Sequence, residues 1–513
     1  MRNIVKAITS LLLVTSLVSC ANSKPEAFEV SDLITNANNY ISENKENVVK
    51  DFRNNYHLMA PVGWINDPNG FSEFNDKYHL FYQYNPYSAE WNTMHWGHQT
   101  TKDFIKWDLE DVALAPDKEY DQNGCFSGTA FVEDGVQYLA YTAVTEYQNQ
   151  ALAYSKDGKT YKKLDDLLLD GSSLPDGFSN NDFRDPKLFK RDGKYYIICG
   201  NKDNKKNKHL IMFESNDVKG PYKYVGVIYK RNDLGGILEC PDLLTINETD
   251  VLICSPQSIG SDYEYEFQNN DSCVYLVGSL STNTYKYYQT PSTNLEEFDK
   301  GFSFYAPQTM KTSDGRSILV AWMRSWSEPN LTKLDGWCGS MTLPRELRLE
   351  NNHIYQAPVR EIRNYFTDNI TKNKIILNDE SKDLTDFNSR CQNISFELDV
   401  AGIKSNGKAG IEIFKNSNYS TKIYYDAARG YLVFDRANCG SALDGKRYMK
   451  VEGNKIKLDL YLDNNSVEIF VNDGYYTMSG TVYAPLDCDG VSLFATNGQA
   501  IFNNLERNKI TIK

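Results

Sequence analysis

Short apolar runs recur at a regular interval along the middle of the chain. Each run is about five residues long and is bounded by polar or turn-forming residues. The runs begin roughly every 60 residues and lie at Tyr78–Tyr82, Gln137–Tyr141, Lys194–Ile198, Val251–Cys254 and Ser317–Ala321. A repeat of this length that is filled with short strands is typical of propeller blades with four strands each.

A second pattern follows the first one with the same period. Hydroxyl and amide residues that favour turns lead to an aromatic residue at Thr101–Trp107, Ser155–Tyr161, Ser215–Tyr222 and Ser281–Tyr285. Two markers in phase predict an all-β fold with a five-bladed β-propeller over residues 51–355. An irregular all-β domain with frequent turns is the alternative.

The last part of the chain has a different pattern. Alternating strands are joined by turns at shorter spacing, and examples are Ile394–Val400, Lys422–Tyr425, Tyr431–Phe434 and Ser466–Val471. Regular short strands with turn signals predict a β-sandwich over residues 386–513, with residues 356–385 as a linker.

The amino terminus has the order of a secretory signal. Two basic residues, Arg2 and Lys6, precede an apolar stretch that ends in Ser19-Cys20. The stretch is too short to span a membrane. We therefore expect residues 1–20 to be a signal peptide and residues 21–50 to be a polar tether or a short helix.

The end of this signal carries a second feature. Leu17–Cys20 resembles a bacterial lipobox, in which Cys20 would be lipidated and become the first mature residue. An ordinary signal peptide that contains a cysteine is the alternative. In either case the protein is expected to be secreted or at the cell surface, and its only contact with a membrane would be a lipid on Cys20.

Composition and charge narrow the classes of function. Hydrophobic residues make up 41% of the chain and aromatic residues 13%, which favours β-structure. The formal net charge of −13 would repel a nucleic acid backbone, so nucleic acid is not expected as a partner. Apart from Cys20 there are nine cysteines, an odd number without paired spacing, which argues against a disulfide framework.

A short, unusual segment lies about ten residues before each apolar run. The five segments are Asn66–Pro68, Phe126–Gly128, Arg184–Pro186, Glu239–Pro241 and Tyr305–Pro307. If the apolar run is a central strand, this segment belongs to the innermost strand of the blade. Three of the five equivalent positions then hold a carboxylate, so Asp67, Asp185 and Glu239 are expected to converge at one end of the propeller axis.

Converging carboxylates suit a glycosidase, which needs one carboxylate to attack and one protonated acid to assist the leaving group. Taken singly, an Asp before Pro is more often a turn residue, and the shared register is what favours catalysis. Aromatic rings nearby can pack against sugar C–H surfaces while polar side chains bond hydroxyl groups. His95 and His98 lack a nearby Glu, so no metal site is expected, and no phosphate-binding loop indicates another cofactor.

Three blocks, Trp64–Gly70, Arg184–Pro186 and Glu239–Asp242, resemble the signature blocks of glycoside hydrolase family 32, the invertase, inulinase and levanase family. The resemblance covers nearly the whole mature chain. The supporting blocks are Phe81–Pro86, Trp96–His98, Phe126–Gly128, Phe304–Gln308, Gly336–Trp337, Leu343–Leu347 and Ser466–Gly474.

The resemblance implies a five-bladed propeller followed by a sandwich, and retaining hydrolysis of β-linked fructofuranosides without a cofactor. It implies that Asp67 is the nucleophile, Glu239 the acid/base and Asp185 the stabiliser of the transition state. The residues implied to line the fructose pocket are Asn66, Gln83, Trp91, Phe126, Ser127, Arg184 and Trp322. Arg184 is expected to keep the neighbouring Asp185 ionised.

The chain departs from the family pattern at the rim of this pocket. Ile65 stands where Met is common, and Asn92-Thr93 follows Trp91 where Gly-Asn is common. An exported enzyme would meet unphosphorylated sucrose or fructans, because phosphorylation accompanies import. Three alternatives stay open: a fructosyltransferase, an inverting propeller glycosidase and a sugar-binding protein without catalysis.

Overall fold

The computed structural model describes residues 27–259, 265–291 and 293–512. The predicted signal peptide and the predicted lipidation site at Cys20 lie outside the described residues. Within them, no helix is both long enough and apolar enough to cross a membrane.

Five antiparallel sheets form the first part of the chain, and each has four main strands. In chain order the strands are β1 (Gly63–Phe74), β2 (Lys77–Asn85), β3 (His95–Thr101), β4 (Trp107–Leu109), β5 (Gly124–Glu133), β6 (Val136–Val144), β7 (Gln148–Ser155), β8 (Lys162–Lys163), β9 (Arg184–Arg191), β10 (Lys194–Lys202), β11 (Lys208–Ser215), β12 (Lys223–Arg231), β13 (Ile237–Ile246), β14 (Thr249–Gln257), β15 (Val274–Ser281), β16 (Lys286–Gln289), β17 (Glu296–Glu297), β18 (Tyr305–Lys311), β19 (Ser317–Trp322), β20 (Trp337–Cys338), β21 (Arg345–Glu350) and β22 (His353–Pro358).

These sheets are the blades of a five-bladed propeller, as the repeats predict. The apolar runs of the sequence fall on β2, β6, β10, β14 and β19, which are the second strands of the blades. The first strands, β1, β5, β9, β13 and β18, contact one another in a closed ring around the axis. β20 lies along the chain between β19 and β21 of the fifth blade and pairs in parallel with β1 of the first blade. This pairing joins the last blade to the first.

The segment before the first blade is more ordered than a tether. A helix, α1 (Asp32–Asn44), begins after Ser31, whose hydroxyl accepts from the amide of Ile34. Ile34, Ala37 and Ile41 are spaced on one helical face, and they are buried in a core shared with the first and fifth blades. The prediction of a polar tether over residues 21–50 is therefore wrong for this helix, and the short-helix alternative describes it.

The carboxy-terminal domain is a β-sandwich, as predicted. Its strands are β23 (Phe366–Asn378), β24 (Ser381–Asp383), β25 (Gln392–Lys415), β26 (Thr421–Asp426), β27 (Tyr431–Asp435), β28 (Lys446–Lys450), β29 (Lys455–Asp463), β30 (Ser466–Val471), β31 (Tyr476–Thr481) and β32 (Gly490–Ile510). The long strands β25 and β32 pair with each other along most of their length and link the layers. Short 3₁₀ helices elsewhere are Glu119–Asp121, Gly171–Ser173, Lys333–Asp335, Arg360–Tyr365 and Thr385–Phe387.

The predicted linker, residues 356–385, is mostly part of the sandwich. β23 pairs with β32 from Phe366 opposite Ile510 to Asn378 opposite Gln499. The connection itself is the 3₁₀ helix Arg360–Tyr365. Few side chains of β23 are buried, which explains why its sequence resembles a linker.

A buried network of charged groups joins the two domains. The ring of His57 lies between Asp463 and Glu468 of the sandwich, 2.9 Å from each. Arg345 of the fifth blade pairs with Glu468 at 2.5 Å and with Asp299 at 3.2 Å. All five side chains are fully buried, so the domains are held by groups that solvent does not reach.

Candidate active site

Each of the five innermost strands has an irregular register at an equivalent position in its blade. In β1, β5, β13 and β18 the irregularity follows Ile65, Phe126, Glu239 and Tyr305, and in β9 it lies at Arg184–Lys187. Such bulges bend a strand and change the direction of its side chains. They lie at the five segments that the sequence singles out.

The register corrects the expectation that the three carboxylates occupy equivalent positions. Asp67 and Asp185 are second in their segments, whereas Glu239 is first and Cys240 is second. Asp185 and Cys240 have positive φ angles, 65° and 45°, in the left-handed region. The bulges therefore bring residues from both positions to the axis, so the three carboxyl groups still converge.

Asp67 is buried and held by three side chains. The Ser127 hydroxyl donates to Oδ2 at 2.6 Å and the Asn66 amide to Oδ1 at 3.1 Å. The Cys240 thiol is 3.5 Å from Oδ2. Burial raises the pKa of Asp67, and the hydrogen bond from Ser127 opposes that rise.

Asp185 lies on the other side of the Cys240 thiol, which is 3.6 Å from its Oδ2. The amide of Cys240 donates to the same oxygen at 2.9 Å, and the amide of Asp185 donates to Thr142 Oγ1. Burial and then the charge of Glu239 raise the pKa of Asp185 to about 7, although Arg184 acts in the opposite direction. Arg184 therefore acts on Asp185 in the expected direction, towards the ionised form, but burial and Glu239 outweigh it.

Arg184 instead binds Glu239. Its Nε and Nη2 lie 3.0 and 2.8 Å from Glu239 Oε1, and the Tyr305 hydroxyl donates to Oε2 at 2.6 Å. The guanidinium is steadied by Gln148 Oε1 at 3.2 Å and by Asp182 Oδ1 at 3.4 Å. Both oxygens of Glu239 are thus fixed by partners from the third and fifth blades.

The other predicted pocket residues fall into two groups. Trp91 is 48% exposed and meets the ring of Phe126 edge to face at 5.8 Å, so these two rings form part of the rim. Gln83 is buried and donates to the carbonyl of Cys125. Trp322 was predicted to line the fructose pocket. It is instead fully buried, and its ring packs against Trp64.

A second layer of contacts lies next to the first along the same three strands. Asp242 pairs with Lys187 at 2.5 Å and accepts from the amide and hydroxyl of Thr309 at 2.6 and 2.8 Å. The layer links β9, β13 and β18, as Arg184, Glu239 and Tyr305 do at the mouth. The third, fourth and fifth blades are therefore connected by two sets of contacts near the three carboxyl groups.

The sequence did not identify Tyr305, Cys240, Thr142 or Gln148 as part of the site. For Tyr305 a signal exists, because it is first in its segment, as Arg184 and Glu239 are. Thr142 and Gln148 lie on β6 and β7 and carry no motif. Among the described residues, no group of three or more His, Cys, Asp or Glu is arranged to hold a metal ion.

Buried carboxyl groups at the mouth of a propeller funnel, with exposed aromatic rings beside them, are typical of a glycosidase active site. Comparison with known proteins specifies the class. Residues 57–358 match the model of the "Glycosyl hydrolases family 32 N-terminal domain", and residues 361–509 match that of its C-terminal domain.

Individual relatives agree with the family match. A sucrose-6-phosphate hydrolase of Zymomonas mobilis is 33% identical over 481 residues, which cover 88% of this chain and 91% of the relative. A raffinose invertase of Escherichia coli is 31% identical over 465 residues, with 88% and 93% covered. The structure of a Bombyx mori β-fructofuranosidase mutant in complex with sucrose is 28% identical and superposes with a TM-score of 0.80, covering 94% of this chain and 99% of that one.

The chain therefore belongs to family 32 of the glycosyl hydrolases. It is an enzyme, and its activity is that of a β-fructofuranosidase.

Proposed function

We propose that the enzyme hydrolyses terminal β-D-fructofuranosyl bonds of sucrose and short fructans with retention of configuration. The observation that carries this proposal is the convergence of Asp67, Asp185 and Glu239 on three bulged inner strands, with one thiol in contact with the first two. The roles are Asp67 as nucleophile, Glu239 as acid/base and Asp185 as stabiliser of the transition state.

In the first step the ionised Asp67 attacks the anomeric carbon, and protonated Glu239 gives its proton to the glycosidic oxygen as that bond breaks. The leaving sugar departs and a fructosyl ester with Asp67 remains. In the second step Glu239 takes a proton from water, the water oxygen bonds to the anomeric carbon, and the ester bond to Asp67 breaks. Arg184 and Tyr305 position Glu239 throughout.

The named activities of the relatives support the substrate class. They include the hydrolysis of sucrose 6-phosphate and an invertase for raffinose, and the Bombyx mori protein was solved with sucrose. These sugars share a terminal fructosyl unit. The signal-like amino terminus supports the unphosphorylated members of this set, because sucrose outside a cell has not been phosphorylated on import.

The test of this assignment is Asp67→Asn. The change keeps the size of the side chain and removes the nucleophile, so kcat on sucrose should fall at least about 1,000-fold while the protein still folds. Asp134→Asn, at an exposed turn, is the matched control and should retain activity. Near-normal sucrose hydrolysis by folded Asp67→Asn would overturn the proposal.

For location, we propose that the enzyme is exported and anchored through a lipid on Cys20. The order of charged, apolar and small residues before Cys20 supports this proposal. The native protein should fractionate with membranes, and Cys20→Ser should release or mislocalise it with unchanged specific activity. Soluble wild-type protein in the cytoplasm that prefers sucrose 6-phosphate would contradict both the location and the substrate.

A further inference from the structure

The loop between β2 and β3, residues 86–94, carries Trp91 at the rim of the active site, and we call it the Trp91 loop. The side chain of Asn85, at the end of β2, accepts from the amide of Tyr87 at 3.2 Å and donates to the carbonyl of Glu90 at 2.8 Å. These two hydrogen bonds fold the first half of the loop. Trp91 follows directly and is 48% exposed, so the position of its ring depends on what holds the preceding residues.

Helix α1 holds one part of the Trp91 loop. The Tyr40 hydroxyl donates to the carbonyl of Tyr87 at 3.2 Å, and the two rings meet edge to face with their centroids 5.2 Å apart. The helix is fixed on the propeller by its buried face and by Asn38, whose side-chain oxygen accepts from the amide of Val112 at 2.9 Å. Tyr40 therefore links the Trp91 loop to an element that packs on the propeller.

The fifth blade holds a second part of the loop. Its segment between β19 and β20 contains Asn330, whose side-chain amide donates to the carbonyl of Ala89 at 2.6 Å. Ala89 is buried and lies two residues before Trp91, so this hydrogen bond acts close to the ring. Lys333 pairs with Glu90 at 2.6 Å as well, but both side chains are about half exposed, so this pair contributes little.

We propose that Tyr40 and Asn330 are positioning residues, which place the ring of Trp91 for substrate binding. The proposal rests on the proposed function, because it assumes that Trp91 lines the fructose pocket. It deepens that function by giving the amino-terminal helix and the fifth blade a part in substrate affinity. Both residues act through the Trp91 loop.

The ring of Trp91 lies close to the nucleophile through two neighbours. It meets Phe126 edge to face at 5.8 Å, and the next residue, Ser127, donates to Asp67 at 2.6 Å. A loop that leaves its position moves the ring, whereas Ser127 and Asp67 stay on their propeller strands. Substrate affinity then falls with the fraction of molecules in which the loop is in place. The chemical step should change little.

The test measures KM and kcat on sucrose for the full-length wild type and single variants. Asn330→Ala removes one donor, and Tyr40→Ala removes a hydroxyl and a ring, so each should raise KM about fivefold, while kcat changes less than about twofold. Tyr40→Phe keeps the ring contact and should raise KM less than Tyr40→Ala does. The matched controls are Asn39→Ala on α1 and Leu334→Ala on the segment of the fifth blade, since both side chains are exposed and should not affect KM.

A double-mutant cycle shows whether the effect passes through Trp91. Asn330→Ala and Tyr40→Ala should raise KM in the wild type and should have no further effect in a Trp91→Ala background. Trp91→Ala keeps the three carboxyl groups, so its remaining activity can be measured at a raised enzyme concentration.

Equal effects on KM in both backgrounds would overturn the proposal. A lower midpoint of urea unfolding with an unchanged KM would also overturn it, because the contacts would then serve stability alone. Failure of the proposed function is separate, because the wild type itself would then release no fructose from sucrose.

Discussion

At the level of single residues, the unexpected contact is the one between Arg184 and Glu239. Two guanidinium nitrogens share one oxygen of Glu239, and Tyr305 holds the other. Hydrogen bonds to charged groups contribute roughly 1.5–3 kcal/mol each, so three of them hold the carboxyl group firmly. In the proposed mechanism this side chain gives and takes a proton, and the three hydrogen bonds hold it in one orientation through both steps.

The role of Glu239 can be tested with Glu239→Ala. This variant should lose most activity on sucrose, because neither the proton donor nor the general base remains. Sodium azide should restore part of the turnover on an activated aryl fructoside, since azide needs no general base and can enter the vacated space. Asp67→Asn should show no such rescue. An absence of rescue, with the aryl fructoside impaired as strongly as sucrose, would contradict the assignment.

At the level of the strands, the bulges determine which side chains meet. Regular alternation would place Glu239 and Cys240 on opposite faces of β13. The irregular register between Glu239 and Asp242, with the positive φ of Cys240, allows both to face the axis. Periodicity in the sequence predicts the strand and its height in the blade, but it assumes regular alternation and so misplaces Glu239 by one position.

Patterns along the sequence predicted the blades, but they missed contacts between distant strands and one polar strand. The blades follow from the apolar runs because each second strand is buried on both faces. Tyr305 was missed as a partner of Glu239 because the contact joins strands 66 residues apart. β23 was assigned to the linker because its polar composition hides a strand that pairs along one edge with β32.

The layer of Asp242, Lys187 and Thr309 gives a prediction at this level. Lys187→Met should lower stability by roughly 3 kcal/mol, because it leaves the buried carboxylate of Asp242 without its cation. Lys187→Arg keeps the charge and should lose less. The measurement is the midpoint of denaturant unfolding together with the m value, and an unchanged midpoint for Lys187→Met would show that the pair is not needed.

At the level of the whole molecule, the domains are joined by buried charge. Burial alone would lower the pKa of His57, but hydrogen bonds from its ring to Asp463 and Glu468 outweigh burial and raise the pKa to about 9. A histidine in an unfolded chain titrates near pH 6.5. The folded protein therefore holds a proton on His57 that the unfolded chain releases at neutral pH.

This difference predicts how stability depends on pH. The stabilisation from His57 is complete below about pH 6.5 and is lost as the pH rises through about 9, a change of roughly 3 kcal/mol. His57→Gln should lack this loss. The unfolding midpoints of the wild type and of His57→Gln should therefore approach each other as the pH rises from 6.5 to 9. If the variant does not fold, an NMR titration of the histidines in the wild type supplies the answer. A His57 that titrates near 6.5 would refute the prediction.

The central claim is that Asp67 forms a covalent fructosyl intermediate, and the stereochemistry of transfer tests it most directly. In buffer that contains methanol, the alcohol competes with water for the fructosyl group, and the methyl fructofuranoside that forms does not change its anomeric configuration afterwards. Two successive inversions at the anomeric carbon must give methyl β-D-fructofuranoside from sucrose, as NMR of the early product can show. Methyl α-D-fructofuranoside as the first product would mean a single inversion and would contradict the account.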